Sequence, residues 1–216
     1  MSASNDDWLW IFDLDDTLHN ASAHIFPHIN RAMTEYVMTH LGLSQQQANE
    51  LRSHYWIKYG ATLHGLMRHH GTDPQHFLHH THQFSDLSSM VQPDRGLRSM
   101  LARLHGRKVV FTNAPREYAL RVLLILGIRQ YFERVFSIES TRFQPKPARA
   151  GFMRLLSKIN VPAARCIMVE DSLPALKTAK RLGMKTVYIN SGARRPSFVD
   201  LRLNSVLALP NITVPF

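Results

Sequence analysis

Cysteine is almost absent from this chain of 216 residues, where Cys166 stands alone. A single thiol cannot close a disulfide within the chain or build a cysteine zinc site, so the fold must be held by its core, and a reducing compartment suits it. Long apolar runs are missing as well. The polar, acidic start MSASNDD leads into an apolar run, Trp8 to Phe12, that Asp13 ends after five residues. Neither a signal peptide nor a membrane span is expected, which makes a cytoplasmic protein the default. No internal repeat or low-complexity linker is visible. With 44% hydrophobic and 19% charged residues, ten Gly and eleven Pro, the composition excludes a disordered chain or a collagen-like fibre. The length fits one domain, or a core carrying an insertion.

Acidic residues run short after position 140. Residues 1–140 balance 13 basic against 13 acidic side chains, whereas 141–216 carry 13 basic side chains and only Glu170, Asp171 and Asp200 as acids. The whole formal charge of +10 therefore sits in the last third. Such a field could attract phosphate, nucleic acid or an anionic surface. Solvated helix faces with no specific partner are the plainer reading.

Short apolar runs recur at 8–12 (WLWIF), 108–112 (KVVFT), 134–138 (RVFSI), 166–170 (CIMVE) and 186–190 (TVYIN), and each reads as a buried strand. From 108 onward they alternate with helical patterns at 116–126, 147–159 and 173–182. That alternation predicts an α/β fold, a Rossmann-like parallel sheet with helices on its faces. The stretch 20–92 shows no strand and several helical patterns, with a capping box at Ser44 and Gln47 and a helix start at Asp73-Pro74. We expect a helical cap domain over 20–92, inserted into an α/β core made of 1–19 and 93–216. Its hinges would lie near His19–Ala23 and Gln92–Arg95.

Ligands in open parallel sheets sit beyond the carboxyl ends of the strands. After the first strand comes Asp13-Leu14-Asp15-Asp16-Thr17, in which paired carboxylates could hold a divalent cation while one acts as nucleophile and the other as acid and base. After the second come Thr112 and Asn113, suited to phosphate oxygens or, equally, to a turn or helix cap. Lys146 stands between Pro145 and Pro147, which restrict the backbone around its charge. After the fourth come Glu170 and Asp171, adjacent acids that need a cation or a hydrogen-bond network. A helix cap by Asp171 or Ser172 is compatible with that need.

The order DxDxT at 13–17, Thr-Asn at 112–113, Lys-Pro at 146–147 and Glu-Asp at 170–171 resembles the haloacid dehalogenase superfamily of phosphatases. The likeness covers nearly the whole chain, helical insert included. Within the superfamily, IFDLDDTLHN, the stretch HYWIKYGATLHGLMRHHGTDPQHF and VVFTNAPREYA are most similar to the pyrimidine 5′-nucleotidase group. His19 stands where that group often has Tyr, and Ala175 where many members have Asn. Both departures bear on substrate identity.

The resemblance implies that Asp13 attacks phosphorus and forms an aspartyl-phosphate, while Asp15 protonates the leaving group and then activates water. It implies Mg²⁺ held by Asp13, the Asp15 backbone carbonyl and Asp171, supported by Glu170, and a phosphoryl group stabilised by Thr112, Asn113 and Lys146. The expected partner is a small phosphorylated substrate: a pyrimidine nucleoside 5′-monophosphate first, a sugar phosphate or phosphoglycolate second. A dehalogenase has no alkoxide to protonate, and Lys58 is the only imine-forming candidate in the cap, so phosphonate chemistry is disfavoured. A nucleic-acid-binding module built on the basic last third is the competing class, but no binding motif accompanies the charge.

Seven of the thirteen His lie between 60 and 82. His76 and His80 share a helix face at i, i+4, a spacing compatible with metal, although no acid accompanies them and packing or solvation is the expected role. Tyr55, Trp56 and Tyr59 could stack a base, with core packing expected for most of them.

Overall fold

The computed structural model describes residues 8–92, 94–192 and 195–213. The polar start and Pro93, at the second expected hinge, lie outside the described residues. The strands are β1 (Leu9–Phe12), β2 (Arg107–Phe111), β3 (Arg134–Phe136), β4 (Cys166–Glu170), β5 (Lys185–Ile189) and β6 (Leu201–Leu203). They form one parallel sheet in the order β3-β2-β1-β4-β5-β6. The α/β expectation is borne out.

Strand β1 is central, and its four residues are all buried. Side chains alternate across a sheet, so Trp10 and Phe12 pack on one face with α6 (Leu97–Arg103) and α7 (Arg116–Ile125). Leu9 and Ile11 pack on the other, against α8 (Arg149–Ile159) and α9 (Leu173–Arg181). Each such fully buried large side chain contributes about 1.5–3 kcal/mol. Being apolar on both faces is why these strands read as continuous hydrophobic runs.

Between β1 and β2 the chain is helical: α1 (Ile25–Leu41), α2 (Gln45–Tyr59), α3 (Thr62–His70), α4 (Pro74–Thr81) and α5 (Leu87–Met90). The Ser44 capping box forms as expected, and Asp73 caps α4 ahead of Pro74. Ile25, Ile29, Phe84, Leu87 and Val91 join the sheet's core. Tyr36, Val37, Tyr55, Leu63, Leu66, Phe77 and Leu78 form a cluster of their own, which takes in Ile138 from beyond β3.

The differences from expectation fall at element ends and at the sheet edge. β3 stops at Phe136, where Ser137 turns its N–H to the Ser140 hydroxyl. Helix α8 begins at Arg149, two residues after Pro147, whose peptide bond with Lys146 is cis. β6, at the sheet edge, was not expected; its three residues are only half-buried and carry no apolar run. No described helix is long and apolar enough to cross a membrane.

Candidate active site

The parallel register brings the ends of β1, β2 and β4 side by side. Asp13 continues the ladder by donating its N–H to the Val169 carbonyl at 3.0 Å, which sets it beside Glu170 and Asp171. Thr112 likewise donates its N–H to Phe136 at 2.9 Å. Beyond Asp13 the chain turns tightly, with Leu18 bonded back to the Leu14 carbonyl at 2.9 Å. Asp16 sits at φ 58° in the left-handed region, where a short polar residue is tolerated. Its carboxylate is tied to the backbone N–H and hydroxyl of Ser22.

Lys146 is the hub. Its Nζ donates to Asp13 Oδ1 at 2.7 Å and to Glu170 Oε2 at 2.5 Å, with all three side chains at most 10% exposed. Burial alone would discharge the lysine, but Asp13 and Glu170 outweigh it and hold its pKa above the ordinary value. Asp13 is pushed up to about 6 by burial and by the charges of Asp171 and Asp15, which together overcome the pull of Lys146. Glu170 and Asp171 are also raised, first by burial. Three carboxyls, those of Asp13, Glu170 and Asp171, thus gather about one ammonium, with the Asp15 charge near Asp13, and the cluster carries more negative charge than its own residues balance.

That imbalance fits a divalent cation. Asp13, Glu170 and Asp171 can each offer an oxygen with all three atoms within 4.8 Å of one another, and an all-oxygen donor set suits a hard ion such as Mg²⁺. Among the described residues, this is the only group of three such side chains placed to hold a metal.

The other expected residues have specific engagements. Thr112 is buried, and its Oγ1 accepts from the Ala114 N–H at 3.0 Å. Asn113 engages the Lys146 backbone with both ends of its amide: Oδ1 accepts from the Lys146 N–H at 2.7 Å and Nδ2 donates to the Lys146 carbonyl at 3.0 Å. It pins the lysine-bearing loop. The helical insert reaches the same loop at Gly60, where an added Cβ would lie 2.6 Å from Pro147 Cδ.

Two neighbours of Asp15 went unassigned by sequence reasoning. The Tyr118 hydroxyl donates to Asp15 Oδ1 at 2.6 Å, and His19 Nε2 lies 3.0 Å from the same oxygen. His19 had a signal, its i, i+4 spacing from Asp15. Tyr118, 103 residues away, had none.

Histidines of the helical insert pair with tyrosines: Tyr36 with His76 at 2.8 Å, Tyr55 with His70 at 2.7 Å and Tyr59 with His69 at 2.6 Å. His76 and His80 bond to each other through Nε2 at 3.0 Å. Tyr55 is buried as expected, whereas Trp56 is 66% exposed. Trp56 faces outward because α2 turns Ala48 and Tyr55 inward. Of the described basic residues after 140, Lys146 alone bonds to the site's carboxylates, while Lys180 pairs with Asp200 at 2.5 Å.

Acidic and lysine side chains gathered at the carboxyl edge of a parallel sheet, with a helical insert after the first strand, define a class of hydrolase. Residues 10–189 match the model for haloacid dehalogenase-like hydrolases, and the chain belongs to that family. It is 26% identical over 193 residues to the Phosphate metabolism protein 8 of Saccharomyces cerevisiae, covering 82% of this chain but only 59% of the yeast protein. It is 25% identical over 198 residues to a Phosphoglycolate phosphatase of Colwellia psychrerythraea, covering 84% of each. A HAD phosphatase from Thermococcus onnurineus shares the fold, with a TM-score of 0.68 at 20% identity, over 94% of this chain and 96% of that one.

Proposed function

We propose that this chain hydrolyses small phosphate monoesters through an aspartyl-phosphate on Asp13, with Mg²⁺ as cofactor. The observation that carries the reading is the buried Lys146, bonded at once to Asp13 and Glu170 beside Asp171. A structural ion pair would not need three carboxyls around one lysine.

In this mechanism Lys146 occupies Asp13 Oδ1, and among the described residues no hydrogen bond engages Oδ2. Oδ2 attacks phosphorus, the bond from phosphorus to the ester oxygen breaks, and Asp15 gives its proton to the departing alkoxide. Asp15 then takes a proton from water, whose oxygen attacks phosphorus and releases inorganic phosphate, restoring the Asp13 carboxylate. Lys146 and Thr112 stabilise charge on the transferring group, and Asn113 holds Lys146 in place. A Mg²⁺ ion held by Asp13, the Asp15 carbonyl and Asp171, with Glu170 in support, would neutralise phosphoryl charge. Residues 20–92 act as a cap over a core of 1–19 and 93–216.

For the substrate we favour a pyrimidine nucleoside 5′-monophosphate, on the likeness of the motif and cap segments to that nucleotidase group. Phosphoglycolate or a sugar phosphate is the second reading, favoured by the name of the Colwellia relative. A phosphate-release screen over nucleoside monophosphates, sugar phosphates and phosphoglycolate, with and without Mg²⁺, separates the two. Equal rates on UMP, CMP and the others would sink the nucleotide reading. No Mg²⁺-dependent release from any of them, or release undiminished in Asp13→Asn, would sink the enzyme assignment.

A further inference from the structure

Two segments converge on one oxygen of Asp15. Tyr118 comes from the first turn of α7, while His19 and Asp15 both belong to the turn after β1. The Tyr118 hydroxyl and His19 Nε2 both reach Oδ1, at 2.6 and 3.0 Å, whereas among the described residues no hydrogen bond reaches Oδ2. A phenol facing a carboxylate donates to it, and the ring nitrogen facing that same oxygen has to donate as well. His19 is fully enclosed, and among the described residues its Nδ1 is a buried atom without a partner, so its ring is placed for the contact with Asp15. Tyr118 is itself held, with the His82 ring edge-on at 5.7 Å and the Phe84 ring at 5.6 Å. Burial and the Asp15 charge push its phenol pKa well up, so it remains a donor.

The geometry points to a clamp in which Tyr118 and His19 fix the Asp15 carboxyl by Oδ1, so that Oδ2 alone carries the proton exchanged with the ester oxygen and with water. An oxygen that accepts two hydrogen bonds is a poor place for a proton, so the acid proton is directed to the other one. Rotation of the carboxyl would aim the proton away from the leaving group, and the two donors oppose that rotation. Tyr118 and His19 are positioning residues, and the clamp rests on the reading of Asp15 as acid and base. It also ties catalysis to the helical insert, because His82 and Phe84 follow α4 and back the Tyr118 ring.

The experiment measures the single-turnover rate of leaving-group release, the step before water attacks, together with KM over phosphate esters of graded leaving-group basicity, from p-nitrophenyl phosphate to alkyl phosphates, for wild type, Tyr118→Phe, His19→Gln and Asp15→Asn. A lost charge-assisted hydrogen bond corresponds to about a ten- to hundredfold loss. Tyr118→Phe should lower that release rate by about that factor on alkyl esters, leave p-nitrophenyl phosphate within about twofold of wild type, and leave KM unchanged. His19→Gln keeps a donor and should lose less than Tyr118→Phe does. A uniform loss across the series for Tyr118→Phe, a loss confined to KM, or no loss on alkyl esters overturns the clamp. Should Asp15→Asn itself lose rate uniformly, the acid role fails instead, which keeps the two failures distinct. Phe fills the Tyr118 ring site, and an unchanged unfolding midpoint confirms that the fold persists.

Discussion

The ammonium of Lys146 lies 2.7 Å from Oδ1 of Asp13, the two side chains only 5% and 10% exposed. Removing one member of a buried ion pair strands the other, at a cost of about 3–5 kcal/mol. Here Lys146→Met strands both Asp13 and Glu170. Urea unfolding at neutral pH in a chelator should show a loss of about that size, and turnover should fall at least about a hundredfold, as for a lost electrostatic donor. Lys146→Arg should not restore it, since a planar fork does not fit the slot of a point charge. A variant as stable as wild type would mean that the pair is not what holds these three strand ends together.

Asp13 gives a pH dependence whose sign can be worked out. Its folded pKa is raised from 3.8 to about 6 in the metal-free protein. Between those values the folded state binds more protons than the unfolded one, so stability falls as pH rises through the window. Asp13→Asn removes that titration. In a chelator the variant should be more stable than wild type at pH 7, and the gap should narrow as pH falls from about 6 toward 4. A gap that widened on acidification would show that Asp13 is held ionised, with its pKa below the unfolded value. Turnover should be abolished at every pH.

The parallel sheet, five of its six strands and the charged strand ends were legible because burial on both faces leaves uninterrupted apolar runs such as Ile167-Met168-Val169. Edge strand β6 was not, since an edge needs only half-buried residues. The acids and Lys146 could be found because each follows a strand or sits between prolines. The Tyr118 contact could not, because a side chain on the first turn of α7 gives no sign of which loop it will face. Asn113 was found by its position after a strand, yet only coordinates show both ends of its amide on the Lys146 backbone.

Asn113 therefore gives a test that separates anchoring from phosphate contact. Asn113→Ala loses two hydrogen bonds to Lys146, worth about 1–3 kcal/mol together. The unfolding midpoint in the absence of any phosphate should drop accordingly, and kcat should fall with it. A residue that touched only the phosphoryl group would leave the ligand-free midpoint unchanged and show its loss in KM. That pattern would return Asn113 to the phosphate-binding role expected from sequence.

Gly60 ends α2 at φ +79°, and an added Cβ would lie 2.6 Å from Pro147 Cδ and 3.1 Å from the Lys146 carbonyl. Gly42 ends α1 in the same left-handed conformation, at φ +65°, with nothing within 4 Å of an added Cβ. The pair separates backbone strain from contact with the site. Gly42→Ala should cost only the left-handed penalty, about 1–2 kcal/mol, and leave kcat unchanged. Gly60→Ala adds a clash with the ring next to Lys146, so the loop or the helical insert has to shift. Its stability loss should exceed that of Gly42→Ala. Its kcat should fall about tenfold or more, since an ångström of displacement at a reacting group costs up to about a hundredfold. Thermal unfolding and phosphate release on the two purified variants measure both effects. Equal behaviour would show that the insert meets the Lys146 loop without constraining it.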